Sequence, residues 1–138
     1  GYFRDPAMSE GRFVDGWFNT GDYVKMEDGY VKILDRVTDI IIVGGFNVYP
    51  QEVEAIINSH PAVSQSVVVG IPHPVNGEVP KAFVRLHEGA SVTSREIIAF
   101  CKKPLAHFRV PRSVEFMEDL PLSSTGKVLR RLLRPAGK

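Results

Sequence analysis

The sequence predicts an α+β fold: a two-layer domain with a small three-stranded sheet, flanking helices and an N-terminal β-hairpin. Three observations lead there. Asp-Gly and Gly-Gly pairs separate short apolar pieces in residues 1–50, as in tight hairpins. Short apolar runs at 63–71 and 82–86 are bounded by proline and glycine. Before these runs, from Pro50, and after them, from Thr93, lie stretches with helical apolar spacing. Helices interleaved with a small sheet cover it as a second layer.

The elements follow in order. Residues 1–34 are turn-rich, and 23–26 and 30–34 form a hairpin around Asp28-Gly29. Residues 35–39 are short and polar, a linker. Residues 40–43 and 46–48 flank Gly44-Gly45 as a second hairpin. Pro50 opens a helix, since its missing N–H has no helical partner in a first turn. Glu52 and Glu54 favour that helix's positive end, and Val53, Ile56 and Ile57 give it an apolar face until Pro61. Strands at 63–71 and 82–86 follow, with Pro72, Pro74, Asn76 and Gly77 forcing a loop between them. Thr93-Ser94-Arg95-Glu96 has capping-box form and starts a helix that turns Ile97, Ile98 and Cys101 inward. Residues 113–117 are the last strand, and 128–134 a short final helix.

Composition narrows the function. A chain of 138 residues suits one domain that folds without disulfides. The lone Cys101 can form no internal bridge, and nothing resembles a signal peptide, so a cytoplasmic setting is expected, with peripheral membrane contact left open. No apolar run reaches the ~20 residues a bilayer span needs. Seventeen basic and sixteen acidic residues nearly cancel, leaving no global field for nucleic acid. Four scattered histidines offer no metal-ligand spacing, so no metal site is expected in the chain itself.

The most informative stretch is Leu120-Pro121-Leu122-Ser123-Ser124-Thr125-Gly126-Lys127-Val128-Leu129. A Gly-Lys pair brings a cation to a phosphate with the backbone close by. It is not a P-loop, because residues 120–125 contain no glycine and Val128 replaces the Ser or Thr that should follow the lysine. Upstream stand Gly16-Trp17-Phe18-Asn19-Thr20-Gly21-Asp22, then a run from Asp35-Arg36 through Gly44-Gly45-Phe46-Asn47-Val48-Tyr49-Pro50 to Glu54, then Leu105-Ala106-His107-Phe108-Arg109-Val110-Pro111. In order and rough spacing these four motifs resemble the C-terminal signatures of the adenylate-forming (AMP-binding) enzymes. The wording around Gly45-Phe46-Asn47 is most similar to the long-chain fatty acid–CoA ligases, which are acyl-CoA synthetases.

The resemblance implies a reaction in two halves. A carboxylic acid attacks the α-phosphorus of ATP to give acyl-AMP, and the thiol of CoA then takes the acyl group. It implies Lys127 as the catalytic cation of the first half, and Asp22 and Arg36 as ligands of the nucleotide's ribose and α-phosphate. Thr38 matches the pivot about which the C-terminal domain swings, although the family more often has Asp or Lys there. Gly44 and Gly45 would then line the tunnel for the thiol. The implied division is residues 1–34 as the end of a large N-terminal adenylation domain, 35–39 as a hinge linker and 40–138 as the mobile C-terminal domain. ATP or AMP, CoA and Mg²⁺ accompany the reaction, the metal bound mainly by the N-terminal domain. The start at Gly1 within Gly1-Tyr2-Phe3-Arg4-Asp5-Pro6 reads as a fragment of a larger ligase, inactive by itself.

Two rivals stay open: an adenylation domain that loads a carrier protein, and a standalone nucleotide-binding or interaction module. The residues do not specify the acid or the oligomeric state. Trp17, Phe18 and Phe46 read as core or interdomain packing, Cys101 as packing, and Lys127, Arg130, Arg131, Arg134 and Lys138 as a solvated basic helix face.

Overall fold

Two Asp-Gly turns shape the first part of the chain. In the computed structural model, which describes residues 6–135, Asp15 and Gly16 have φ of 50° and 83°, and Asp28 and Gly29 have φ of 49° and 80°. Positive φ at both central positions gives the primed turn that matches strand twist. After a helical turn α1 (Pro6–Ser9), the first turn joins β1 (Phe13–Val14) to β2 (Trp17–Phe18). The second joins β3 (Asp22–Glu27) to β4 (Tyr30–Arg36). The hairpin is longer than predicted, and the extension sets Asp22 opposite Arg36. These elements make up a first unit, Gly1–Thr38; the second is Asp39–Lys138. The expected resemblance at residues 1–5 lies outside the described residues.

In the second unit, β5 (Ile41–Val43) and β6 (Phe46–Val48) form the Gly44-Gly45 hairpin, and α2 (Pro50–Asn58) follows. Strands β7 (Val63–His73) and β8 (Gly77–Leu86) pair along nearly their whole length. Helix α3 (Ser94–Lys102), a 3₁₀ turn (His107–Arg109), β9 (Ser113–Phe116) and a second 3₁₀ turn (Arg130–Leu132) complete the unit.

The predicted class holds, but the sheet has five strands, not three. The β5–β6 hairpin joins it: Val43 pairs with Gly77, and the Glu78 carboxylate accepts from the Ile42 N–H at 3.2 Å. On the same side of β8, β9 runs parallel to residues 81–84. Strands β7 and β8 also run further than predicted, leaving residues 74–76 as the turn. Pro72 did not end β7. It shares the strand phase of Val68, whose N–H points off the sheet edge to Glu54, so its missing donor falls where no strand needs it. The final helix reduces to the short 3₁₀ turn, because Val128 instead pairs back with Leu122.

Alternation along β7 fills both faces. Val68, Ala82 and Val84 point to a core with Val53 and Ile57 of α2 and Ile97 and Cys101 of α3. Val67, Val69 and Phe83 point the other way, where Leu120 covers them with help from Val128 and Leu133. Each fully buried Val or Ile stabilises by about 1.5–3 kcal/mol. The C-terminal segment is therefore held by its apolar residues against the sheet face opposite the helices.

The capping box of α3 forms as predicted. Thr93 Oγ1 accepts from the Glu96 N–H at 3.3 Å, and Glu96 Oε2 accepts from the Thr93 N–H at 2.8 Å. Those bonds from the Thr93 backbone and hydroxyl hold the Glu96 carboxyl below the usual glutamate range. A lowered folded value makes this contribution present above the unfolded glutamate pKa and lost as pH falls through the folded one. Glu96→Gln keeps an acceptor but cannot titrate. Urea unfolding should find the variant less stable at neutral pH, with the gap closing in acid; a gap constant with pH would refute the linkage.

Candidate functional site

The lysine loop is a small hairpin with an ordered backbone. Leu122 bridges Val128, the Ser123 N–H donates to the Lys127 carbonyl at 2.7 Å, and the Leu129 N–H donates to the Pro121 carbonyl at 2.8 Å. Inside it, the Lys127 N–H donates to Ser123 Oγ at 3.1 Å, while Ser123 and Thr125 share a hydroxyl bond of 2.9 Å. Gly126 turns the chain at φ 78°, a conformation that side chains resist. Lys127 itself is exposed and has no ion pair among the described residues. The loop thus presents an ammonium from a fixed base.

Just beyond it, the basic end is not a solvated helix face. Arg130 Nη2 lies 2.7 Å from both oxygens of Glu54, and Arg134 Nη2 lies 2.8 Å from Asp39 Oδ1. Arg131 is exposed, and Lys138 lies outside the described residues.

The Gly44-Gly45 turn has φ of 56° and 88°, a primed turn in which both positions favour glycine. The Gly44 N–H donates to the Asn76 carbonyl at 2.9 Å. Asn76 is held in turn by His73, whose Nδ1 accepts from the Asn76 N–H at 3.2 Å and the Val75 N–H at 3.3 Å. A Cβ on Gly45 would meet nothing within 4 Å. Backbone sign, not crowding, is what the turn demands there. Beside it, Phe46 stacks on Phe108 with ring centroids 4.9 Å apart, although Phe46 stays 60 % exposed. A groove of about 310 Å³ runs past Gly44, Phe46, Asn76, His107, Phe108 and Arg112.

The Leu105-to-Pro111 motif is a strut for this hairpin. Phe108 supports Phe46, and Arg109 Nη1 pairs with Glu52 of α2 at 2.8 Å. Nothing in the sequence marked His73 or Glu52 for these tasks, because their partners are backbone groups or lie far along the chain.

In the first unit, Arg36 Nε sits 2.9 Å from Asp22 Oδ1, and Arg36 Nη1 donates to the Thr20 carbonyl at 3.0 Å. Asp22 is half-buried with a second carboxylate oxygen to offer, while the Arg36 side chain is 60 % exposed. An acceptor-only group beside a planar cation can take a vicinal diol together with a neighbouring anionic oxygen. Thr38 ends this unit and Asp39 begins the next. Asp22 and Arg36 are therefore brought together in one unit, and Gly44, Gly45 and Lys127 stand in the other.

Other candidates lose ground. Trp17 is 81 % exposed, so it is no core residue of this chain, and Phe18 is exposed against Phe13 at 5.3 Å. Burial pushes the Cys101 thiol up to about 11, which keeps it neutral and unreactive near neutral pH. Among the described residues no helix is long and apolar enough to cross a membrane.

Comparison with known proteins gives one consistent result. The family of AMP-binding enzyme C-terminal domains matches residues 52–127. A long-chain-fatty-acid–CoA ligase of Yersinia pestis is 44 % identical over 135 residues, covering 97 % of this chain and 24 % of that protein. A 2-succinylbenzoate–CoA ligase of Geobacillus kaustophilus is also 44 % identical over 135 residues, covering 97 % of this chain and 28 % of its own length. The chain thus spans about a quarter of the curated relatives it matches. Among solved structures, ATP-bound MatB from Rhodopseudomonas palustris superposes with a TM-score of 0.90 at 41 % identity, over 97 % of this chain and 27 % of MatB. Apo MatB covers 96 % of this chain and 27 % of its own, also at 41 % identity, but with a TM-score of 0.73.

Proposed function

This chain belongs to the family of AMP-binding enzyme C-terminal domains, and we propose that it is the moving, lysine-bearing quarter of an ATP-dependent acid–CoA ligase whose acid is a fatty acid. The observation that carries this reading is that Lys127, on its ordered loop, belongs to one unit and the Asp22–Arg36 pair to the other.

In the first half-reaction a carboxylate oxygen attacks the α-phosphorus of ATP. A carboxylate–phosphorus bond forms, the bond to the bridging oxygen breaks, and pyrophosphate leaves with its electron pair. Two anions approach each other, so a cation between them lowers the barrier. One unit charge at about 4 Å is worth ~4 kcal/mol at a surface-like dielectric, less whatever is lost by desolvating the ammonium. Lys127 is that cation, Asp22 accepts from the ribose hydroxyls, and Arg36 adds a donor toward the α-phosphate. Mg²⁺ would accompany the ATP phosphates and be bound mainly by the N-terminal domain, which would also hold the acid and most of the adenine pocket.

In the second half-reaction the CoA thiolate attacks the acyl carbonyl and AMP leaves. Lys127 is then no longer needed, and the Gly44-Gly45 turn replaces it, its open Gly45 side giving room to the pantetheine arm. Thr38 is the pivot of that exchange.

In the full-length ligase, Lys127→Ala should slow acyl-adenylate formation by roughly 10²–10³-fold. Thioester formation from supplied acyl-adenylate should keep its rate. Equal loss in both half-reactions would show that Lys127 is structural.

Gly45→Leu should do the reverse, accumulating acyl-adenylate and yielding little acyl-CoA. Strain at positive φ costs about 1–2 kcal/mol for any side chain, so Gly45→Ala is the control that adds strain with little bulk. If alanine and leucine impair thioester formation equally, or if adenylation fails in both, Gly45 serves only the turn.

A further inference from the structure

The cluster that the sequence reading left on the surface has a position that bears on catalysis. Arg130 stands three residues after Lys127 in the chain. Its side chain is 21 % exposed, and its guanidinium lies against the carboxylate of Glu54, whose side chain is 13 % exposed. Glu54 Oε1 also accepts from the Val68 N–H at 2.7 Å, so the pair is bolted to the outer edge of β7. On its other side, Arg130 Nη1 is 3.7 Å from Asp39 Oδ2, and Arg134 holds Asp39 Oδ1 at 2.8 Å. Asp39 is the first residue after Thr38.

We propose that Arg130 is a positioning residue for Lys127: clasped by Glu54 and Asp39, it ties the downstream leg of the lysine loop to the residue that follows the pivot. This rests on the reading of Lys127 and Thr38 given above. The two legs of the loop are anchored differently. Leu120 fixes the upstream leg by burial against Val67, Val69 and Phe83. The downstream leg has partly buried Val128 and Leu133 and, between them, this charged clasp. Apolar burial is non-directional, whereas a charge-assisted bidentate pair adds geometric specificity. A cation that must meet a transferring phosphoryl oxygen needs that second kind of constraint, since a misplacement of about 1 Å can cost 10²-fold in rate. Because Asp39 shares the clasp, a rotation about Thr38 delivers and withdraws the loop as part of one body.

The test uses the full-length ligase and four proteins: wild type, Lys127→Ala, Arg130→Met and the double variant. Arg130→Met should lower kcat for acyl-adenylate formation roughly 10-fold, leaving KM for ATP and for the acid unchanged and thioester formation from supplied acyl-adenylate intact. In the Lys127→Ala background it should cost nothing further, because a residue acting through the lysine has nothing left to position. Asp39→Asn keeps an acceptor for Arg134 while removing the charge; it should show the same pattern more weakly, and it decides the matter if Arg130→Met does not fold. Loss of both half-reactions together, multiplicative loss in the double variant, or unchanged adenylation would overturn the proposal. Failure of Lys127→Ala alone to slow adenylation would instead overturn the functional reading beneath it.

Discussion

The Glu54 carboxylate is where the larger unit closes on itself. It stands on α2, takes the Val68 N–H of the edge strand, and receives Arg130 from the segment that crosses the opposite sheet face. An edge N–H left open invites pairing with another chain, so occupying it also protects the sheet. Partly buried ion pairs of this kind add little net stability over apolar residues, but losing one partner strands the other charge at a cost of about 3–5 kcal/mol when fully buried. Their value is in fixing one arrangement. Here that arrangement joins helix, strand edge and lysine loop.

A sheet covered on both faces gives the unit two separate places to carry function. The Gly44-Gly45 turn projects from the outer strand pair, steadied by Asn76 and by the Phe46–Phe108 stack. The lysine loop rises from the segment over Val67, Val69 and Phe83. Neither is built from the other's supports. On the proposed function this is what alternation requires, since one rigid body must offer a cation in one orientation and an open turn in the other without either disturbing its partner.

Local signals were legible in the sequence and long-range ones were not. The Asp28-Gly29 turn, the Pro50 helix start and the Thr93–Glu96 box each depend on neighbours within a few residues, and each formed. The Gly44-Gly45 hairpin was legible, but its membership of the main sheet was not, because β5 joins through Gly77 and Glu78, more than thirty residues away. Pro72 misled for a related reason: proline stops a strand only where a donor is needed, and which strand lies at an edge is a tertiary fact. Among the candidate residues, Lys127, Gly44, Gly45, Asp22 and Arg36 were singled out by motif, and the register of β3 with β4 explains why the last two meet. Arg130 and Arg134 were misread as solvated because their partners, Glu54 and Asp39, lie 76 and 95 residues earlier.

The central claim is that Lys127 and Gly45 take turns at one reaction centre by rotation at Thr38. The most direct measurement is the distance between a spin label on the lysine loop (Thr125→Cys) and one on the first unit (Asp28→Cys) in the full-length ligase. Cys101 stays in place, since its side chain is fully buried and out of the label's reach. Pulsed electron resonance with a non-reactive ATP analogue, and then with CoA plus a stable acyl-adenylate mimic, should give two separate distances whose populations switch between the conditions. One unchanged distance in both, with each half-reaction still running, would contradict the account.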